Sequence, residues 1–229
     1  MLTKKKRISK KEMKEDKLVT SYYSAYNYFV ENQAKILIGL GAIALVVVAV
    51  ILFSNKKSND NLTAAAQLSK IIPVFEAGQY QEAVDGQPSS NIAGLKTIVD
   101  DFGSTENGEV AKIYLAHAYT FLNKWEEAYN YYSDYSGSNT IFKSTAQAGE
   151  AAYYETKEDY KEAANLYKKA AQNSETNPSN AEYLLKAGIN FIKLGNKAEA
   201  ESIFKEIKEK YKTSPVVQEI ERYLIQLNG

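Results

Sequence analysis

Trp125-Glu126-Glu127-Ala128-Tyr129-Asn130-Tyr131-Tyr132, Tyr160-Lys161-Glu162-Ala163-Ala164-Asn165-Leu166-Tyr167 and Lys197-Ala198-Glu199-Ala200-Glu201-Ser202-Ile203-Phe204 are three versions of one phrase. The shared small residue falls at 128, 163 and 200, separations of 35 and 37 residues. A period close to 34 with apolar residues at helical spacing marks a helix-turn-helix repeat of the tetratricopeptide type. The spacing predicts clear repeats at about residues 109–140, 144–178 and 181–214. Each is two antiparallel helices: in the last, Leu184, Ala187, Gly188 and Phe191 share one face of the first helix, and Ala200, Phe204 and Ile207 face back from the second. Gly195-Asn196 makes the turn there, where the earlier units carry Asn123 and Glu158.

Outward from this core, a degraded unit precedes the repeats. Phe75 to Val84 has the turn and the start of a second helix, and the run Asp85-Gly86-Gln87-Pro88-Ser89-Ser90-Asn91 interrupts it. The helix is expected to resume at Ile92 and stop at Gly103. At the other end, residues 215–228 read as a capping helix with Val217, Ile220, Leu224 and Leu227 in a single apolar stripe. The repeat domain as a whole is expected over residues 63–229.

Residues 36–53, ILIGLGAIALVVVAVILF, hold no charge, no amide and no proline. Eighteen residues at about 1.5 Å each span about 27 Å, close to the hydrocarbon thickness of a bilayer. Thirty-five residues precede the run and no small-x-small site follows it, so it reads as an uncleaved anchor. The fold class is therefore all-α: one N-terminal transmembrane helix, then a tetratricopeptide-type helical solenoid.

The chain has 229 residues with 28 basic and 28 acidic side chains, and the split around the span is uneven. Residues 1–35 carry nine basic and four acidic groups, +5, which leaves −5 for the rest. The Lys/Arg bias predicts a cytoplasmic N-terminus and an outer C-terminal domain, in a bacterium the inner membrane and periplasm. Residues 1–19 form a basic tail, and residues 54–62 a polar linker. Between tail and span, residues 20–35 read as an interfacial helix with Tyr22, Tyr26, Phe29 and Gln33 on one face. A docking site for another membrane protein is the alternative reading of that segment.

No cysteine and one histidine, His117, exclude disulfides, thiolate zinc and multi-histidine metal sites. No phosphate loop, GxSxG or HExxH is present, and adjacent acids such as Glu126-Glu127 diverge by about 100° on a helix. Catalytic residues, metals and cofactors are therefore none, and His117 reads as a groove-lining side chain. The zero net charge argues against nucleic acid as a partner. What remains is protein binding on the inner face of the stack. Ile113, His117, Thr120 and Phe121 line it in the first unit, Ala148, Ala152 and Glu155 in the second, and Leu185, Ile189 and Ile192 in the third.

The tyrosine-rich preamble ending in Tyr28-Phe29-Val30-Glu31-Asn32-Gln33, the uncleaved span, and the short array with Gly94-Leu95 and Phe102-Gly103-Ser104-Thr105 resemble the YfgM-like, membrane-anchored tetratricopeptide family of bacteria, in the form found in Bacteroidota and relatives. The likeness covers roughly residues 20–220. It implies an ancillary subunit of the SecYEG translocon that passes exported proteins to periplasmic chaperones, with translocon subunits, clients or chaperones as partners. Two other readings stay open: an envelope scaffold for outer-membrane assembly or cell division, and a self-association module that builds homo-oligomers.

Overall fold

The computed structural model describes residues 10–228. The described chain is all-α apart from one two-residue strand pair. Helix α1 (Lys10–Glu76) is followed by α2 (Tyr80–Asp85), strands β1 (Gly86–Gln87) and β2 (Ile92–Ala93), and α3 (Leu95–Phe102). Then come α4 (Glu106–Phe121), α5 (Trp125–Ser133), α6 (Thr140–Thr156), α7 (Tyr160–Gln172), α8 (Asn180–Lys193), α9 (Lys197–Lys210) and α10 (Val216–Asn228). The chain divides into two units between Lys56 and Lys57.

Helix α1 passes without a break through residues 20–35, which precede the apolar run, through 36–53 and on through 54–62. The segment expected as an interfacial helix runs directly into the apolar run, with no Pro or Gly at the junction to bend it. The helix is long and apolar enough to cross a membrane, and its apolar window is unburied by the chain itself. Part of the basic tail, residues 10–19, is helical too; it contains neither Gly nor Pro and is rich in Lys and Glu, good helix formers. Residues 1–9 of that tail lie outside the described residues.

The linker expected at 54–62 is also helix. It too lacks Gly and Pro, and within the second unit Asn61 ties it down: its Oδ1 accepts from the Asn107 backbone N–H at 2.8 Å. Just downstream, Ala64, Leu68, Ile71 and Val74 bury one face of α1. The end of α1 is therefore the first helix of the most N-terminal hairpin.

Three hairpins, α4/α5, α6/α7 and α8/α9, follow one another in sequence order; before them the end of α1 turns back into α2, the two sharing a core of Leu68, Ile71, Ala83 and Val84 with Phe75 against Tyr80. All four turns have one construction. The residue at the turn has positive φ, Gly78 (78°), Asn123 (58°), Glu158 (60°) and Gly195 (74°). At each, its N–H and the next one return to the last turn of the first helix: Gly195 N to Ile192 O at 2.8 Å and Asn196 N to Phe191 O at 2.9 Å, matched by Glu158 N to Glu155 O and Asp159 N to Tyr154 O. This left-handed C-terminal cap satisfies carbonyls that the helix end leaves open. Asp159 and Asn196 then cap the following helices through the Glu162 and Glu199 amides. Turn geometry thus repeats even where Asn and Glu replace Gly.

The turns stand 45, 35 and 37 residues apart. The long first interval contains the interruption, whose residues 86–94 form a small excursion: β1 pairs antiparallel with β2, Gly86 opposite Ala93. The second helix resumes at Leu95 and not at Ile92, because Ile92 and Ala93 are held as strand. A Cβ on Gly94 would collide with the backbone of Val84 and Asp85, so the two ends of the excursion close only on glycine. α2 and α3 together supply the second helix of this hairpin and both pack on α4.

Small residues meet rings both within a hairpin, α8 on α9, and between successive hairpins, α6 on α5. Gly188 lies against Phe204 and Gly149 against Tyr132, each so close that a Cβ would enter the ring. Two cores result, one running from Ala64 to Ala146 and one from Ala151 to Ile220. α10 packs on α9 and α8 through Val217, Ile220, Leu224 and Leu227 and covers the distal core, as a terminal helix in a stack must. One buried polar knot fixes a loop: Glu109 accepts from the Ser136 amide and hydroxyl at 2.8 Å, and Lys112 bridges Glu109 and Asp134 at 2.9 and 2.8 Å. Burial pushes the Lys112 pKa down, but these acids outweigh it and leave it raised.

Candidate functional site

Counted back from the positive-φ turn residue, nine of the ten expected groove residues fall into three rows. Ile113, Ala148 and Leu185 stand ten positions before it; His117, Ala152 and Ile189 six before; Thr120, Glu155 and Ile192 three before. Steps of three and four put all three rows on one face of α4, α6 and α8. The same count from Gly78 adds Leu68, Ile72 and Phe75 on α1, which the repeated phrase does not reach because this hairpin's second helix is broken. The turn glycine was the signal that would have found them.

The row farthest from the turn is core at two of its three positions: Ile113 and Leu185 are buried and Ala148 half-buried. His117, Ala152 and Ile189 are half-buried, as are Thr120, Glu155 and Ile192. Phe121 differs. It stands two positions before the turn, 56% exposed, and its ring stacks on Tyr80 at 4.4 Å beside Phe75. That places it in the seam between the first two hairpins with Phe75, Tyr80 and Tyr114, one position off the rows. Helical register shifts it by 100° from Thr120.

The rows do not line one continuous cavity. Ile113 and His117 share a recess of about 140 Å³ with Tyr114, and with Phe142 and Thr145 from α6. His117 meets the edge of Tyr132 at 5.7 Å, and burial lowers its pKa, so the neutral imidazole is favoured. Thr120 donates to the Ala116 carbonyl at 2.9 Å and shares a hydrogen bond with Tyr132 at 3.3 Å. Burial pushes the Tyr132 hydroxyl up to about 12, against a lowering from Thr120.

One repeat on, Glu155 is the polar centre of the face. Its carboxylate accepts from Tyr167 at 2.8 Å and from the Asn190 amide at 2.8 Å, and Lys193 Nζ is 3.9 Å away. Burial first, and the Glu155 charge second, hold the Tyr167 pKa far above its ordinary value. Asn190 was not foreseen: it stands five positions before the turn, fully buried, and joins α8 to α6 through Glu155. Ala148, Ile189 and Ile192 pack against the distal core.

Small Ala148 and Ala152 on α6 occupy the rows held by larger side chains on α4 and α8. Such a surface can seat apolar side chains of a bound segment, with Glu155 as a nearby acceptor. Among the described residues, no group of three or more His, Asp or Glu side chains is placed to hold a metal ion. No known family's sequence profile matches the chain, and no curated protein matches it.

Proposed function

We propose that this is a single-pass membrane protein whose helical array binds proteins on the face formed by α4, α6 and α8. Residues 36–53 form the span, the basic residues before it stay in the cytoplasm, and the array lies outside, in the periplasm of a bacterium. The array is of the tetratricopeptide class, and the chain serves near the Sec translocon, handing exported proteins to chaperones. The resemblance in residues 20–220 supports that placement.

The observation that carries the binding reading is the alignment of half-buried His117, Ala152 and Ile189 with Thr120, Glu155 and Ile192 at fixed distances from three equivalent turns. A photocrosslinking side chain at Ile189 of the full-length protein in native membranes tests it. Recovery of translocon subunits or periplasmic chaperones, beyond a control at exposed Glu209, supports the reading. Recovery of unrelated envelope proteins alone would redirect it to scaffolding, and no excess over the control would overturn it. A phosphatase fused after residue 229 should be active only outside the cytoplasm; activity inside would reverse the topology.

A further inference from the structure

Val19, Tyr22, Tyr26, Phe29 and Gln33 recur along α1 at alternating steps of three and four. Because the helix is unbroken, the same steps continue through the apolar run at Ile36, Leu40, Ile43, Val47 and Val50. This is a heptad stripe. Val19, Tyr26 and Gln33 take one core position, and Tyr22 and Phe29 the other. Val19, Tyr22, Tyr26 and Phe29 are between 50% and 66% exposed, although Tyr22 and Tyr26 stack along the helix at 6.4 Å.

Lipid does not cover the N-terminal part of this stripe, around Val19 and Tyr22, if residues 36–53 span the bilayer, a placement on which the inference rests. Phe29 stands seven residues before Ile36, about 10 Å along the axis, and Tyr22 about 21 Å. The headgroup layer of one leaflet is about 5–8 Å thick. Even with the helix tilted by about 40°, Tyr22 lies about 16 Å beyond the hydrocarbon, in water.

We propose that a second copy of this chain covers the stripe, in a parallel seam from Val19 into the span. Parallel copies held by the same span present every residue at the same height, so each core position meets itself. The one polar member, Gln33, then faces Gln33, and a carboxamide both donates and accepts, so the pair is self-complementary. Identical charges would also meet themselves and repel. Between residues 19 and 33 no core or flanking position of the heptad is charged. The only charges between residues 18 and 53, Glu31 and Lys35, fall on the side turned away from the seam. Upstream the sequence puts Glu15 and Glu12 at the next core positions, which ends the stripe at Val19. An unlike partner would impose none of these conditions together.

The chain has no cysteine, so single cysteines report the seam directly. The full-length protein, reconstituted in phosphatidylethanolamine–phosphatidylglycerol vesicles, is oxidised with copper phenanthroline and run without reductant. Tyr22→Cys, Tyr26→Cys and Phe29→Cys should give disulfide dimers that survive tenfold lipid dilution, while Ser21→Cys, Ser24→Cys and Asn27→Cys on the far side should give several-fold less. Adding Gln33→Glu to Tyr26→Cys should cut its dimer yield several-fold. Equal yields at all six positions, no dimers, or indifference to Gln33→Glu would overturn the seam. Flotation separates the premises: protein that floats with the vesicles yet shows no periodic crosslinking sinks the seam alone, whereas protein that fails to float sinks the membrane placement and the seam with it.

Discussion

Tyr167 donates its hydroxyl to Glu155 at 2.8 Å, and the same twelve-residue step joins Tyr132 to Thr120 at 3.3 Å one hairpin earlier. In the last hairpin the equivalent positions are Phe204 and Ile192, and no polar pair forms. The second helix thus touches the candidate face with the tip of a buried ring whose polarity the facing residue sets. Tyr167→Phe should cost about 1.5–3 kcal/mol, since a hydrogen bond to a charged acceptor is lost, while Tyr132→Phe should cost about 0.5–1.5 kcal/mol. Thermal unfolding of the full chain in detergent measures both. Equal small losses would mean that Glu155 is satisfied by Asn190 alone.

Glu158 takes φ 60° at a turn where the equivalent residues of the first and last hairpins are glycine. A side chain in this region costs about 1–2 kcal/mol, so Glu158→Gly should stabilise the chain by up to that amount, less the added freedom of the unfolded glycine. Asn123→Gly should gain less, because Asn tolerates the conformation. The reverse change, Gly195→Ala, should lower the melting temperature. A fall on Glu158→Gly would contradict the turn geometry.

Gly188→Ala drives a methyl into the Phe204 ring and should destabilise by about 1–3 kcal/mol through overpacking. Adding Phe204→Leu should recover part of that loss, since the ring edge is what the methyl meets. Denaturant midpoints of the single and double variants test the coupling; strict additivity would place the collision elsewhere.

His117 is the one group on the face poised to titrate near neutrality. Its folded pKa lies below the ordinary 6.5 because burial disfavours the imidazolium. The unfolded chain therefore binds the proton first, and stability falls as pH drops below about 6.5, until the folded pKa is also passed. His117→Gln should flatten that part of the melting-temperature profile. An unchanged slope would assign the acid sensitivity to other groups.

The repeat was legible from Ala128, Ala163 and Ala200, because a small buried residue must recur on each second helix where it approaches its neighbours. Nine of the ten expected face residues stand in that register. Phe121 stands one position off it, its ring held by Tyr80 across a seam whose second helix is interrupted, and no local period carries that information. The Asn61–Asn107 tether was invisible for a similar reason: a polar run with weak helix formers reads as linker until a partner 46 residues away is known. Asn190 lay hidden because a buried amide in a helix has no periodic signature; its partner Glu155 gives it meaning.

The two cores meet in a single helix, with Ala146 of α6 in the proximal one and Ala151 in the distal one. Mechanically, α6 is a splice. A load applied at the C-terminal end strains the distal core first and reaches the proximal one only after passing along α6. Force–extension traces should accordingly show two rupture events, and a lengthened connection at the splice should separate them further; one rupture would mean that the halves yield together. A pull on the far hairpins would then be resisted by a part that can give way while the hairpins before α6 keep their shape.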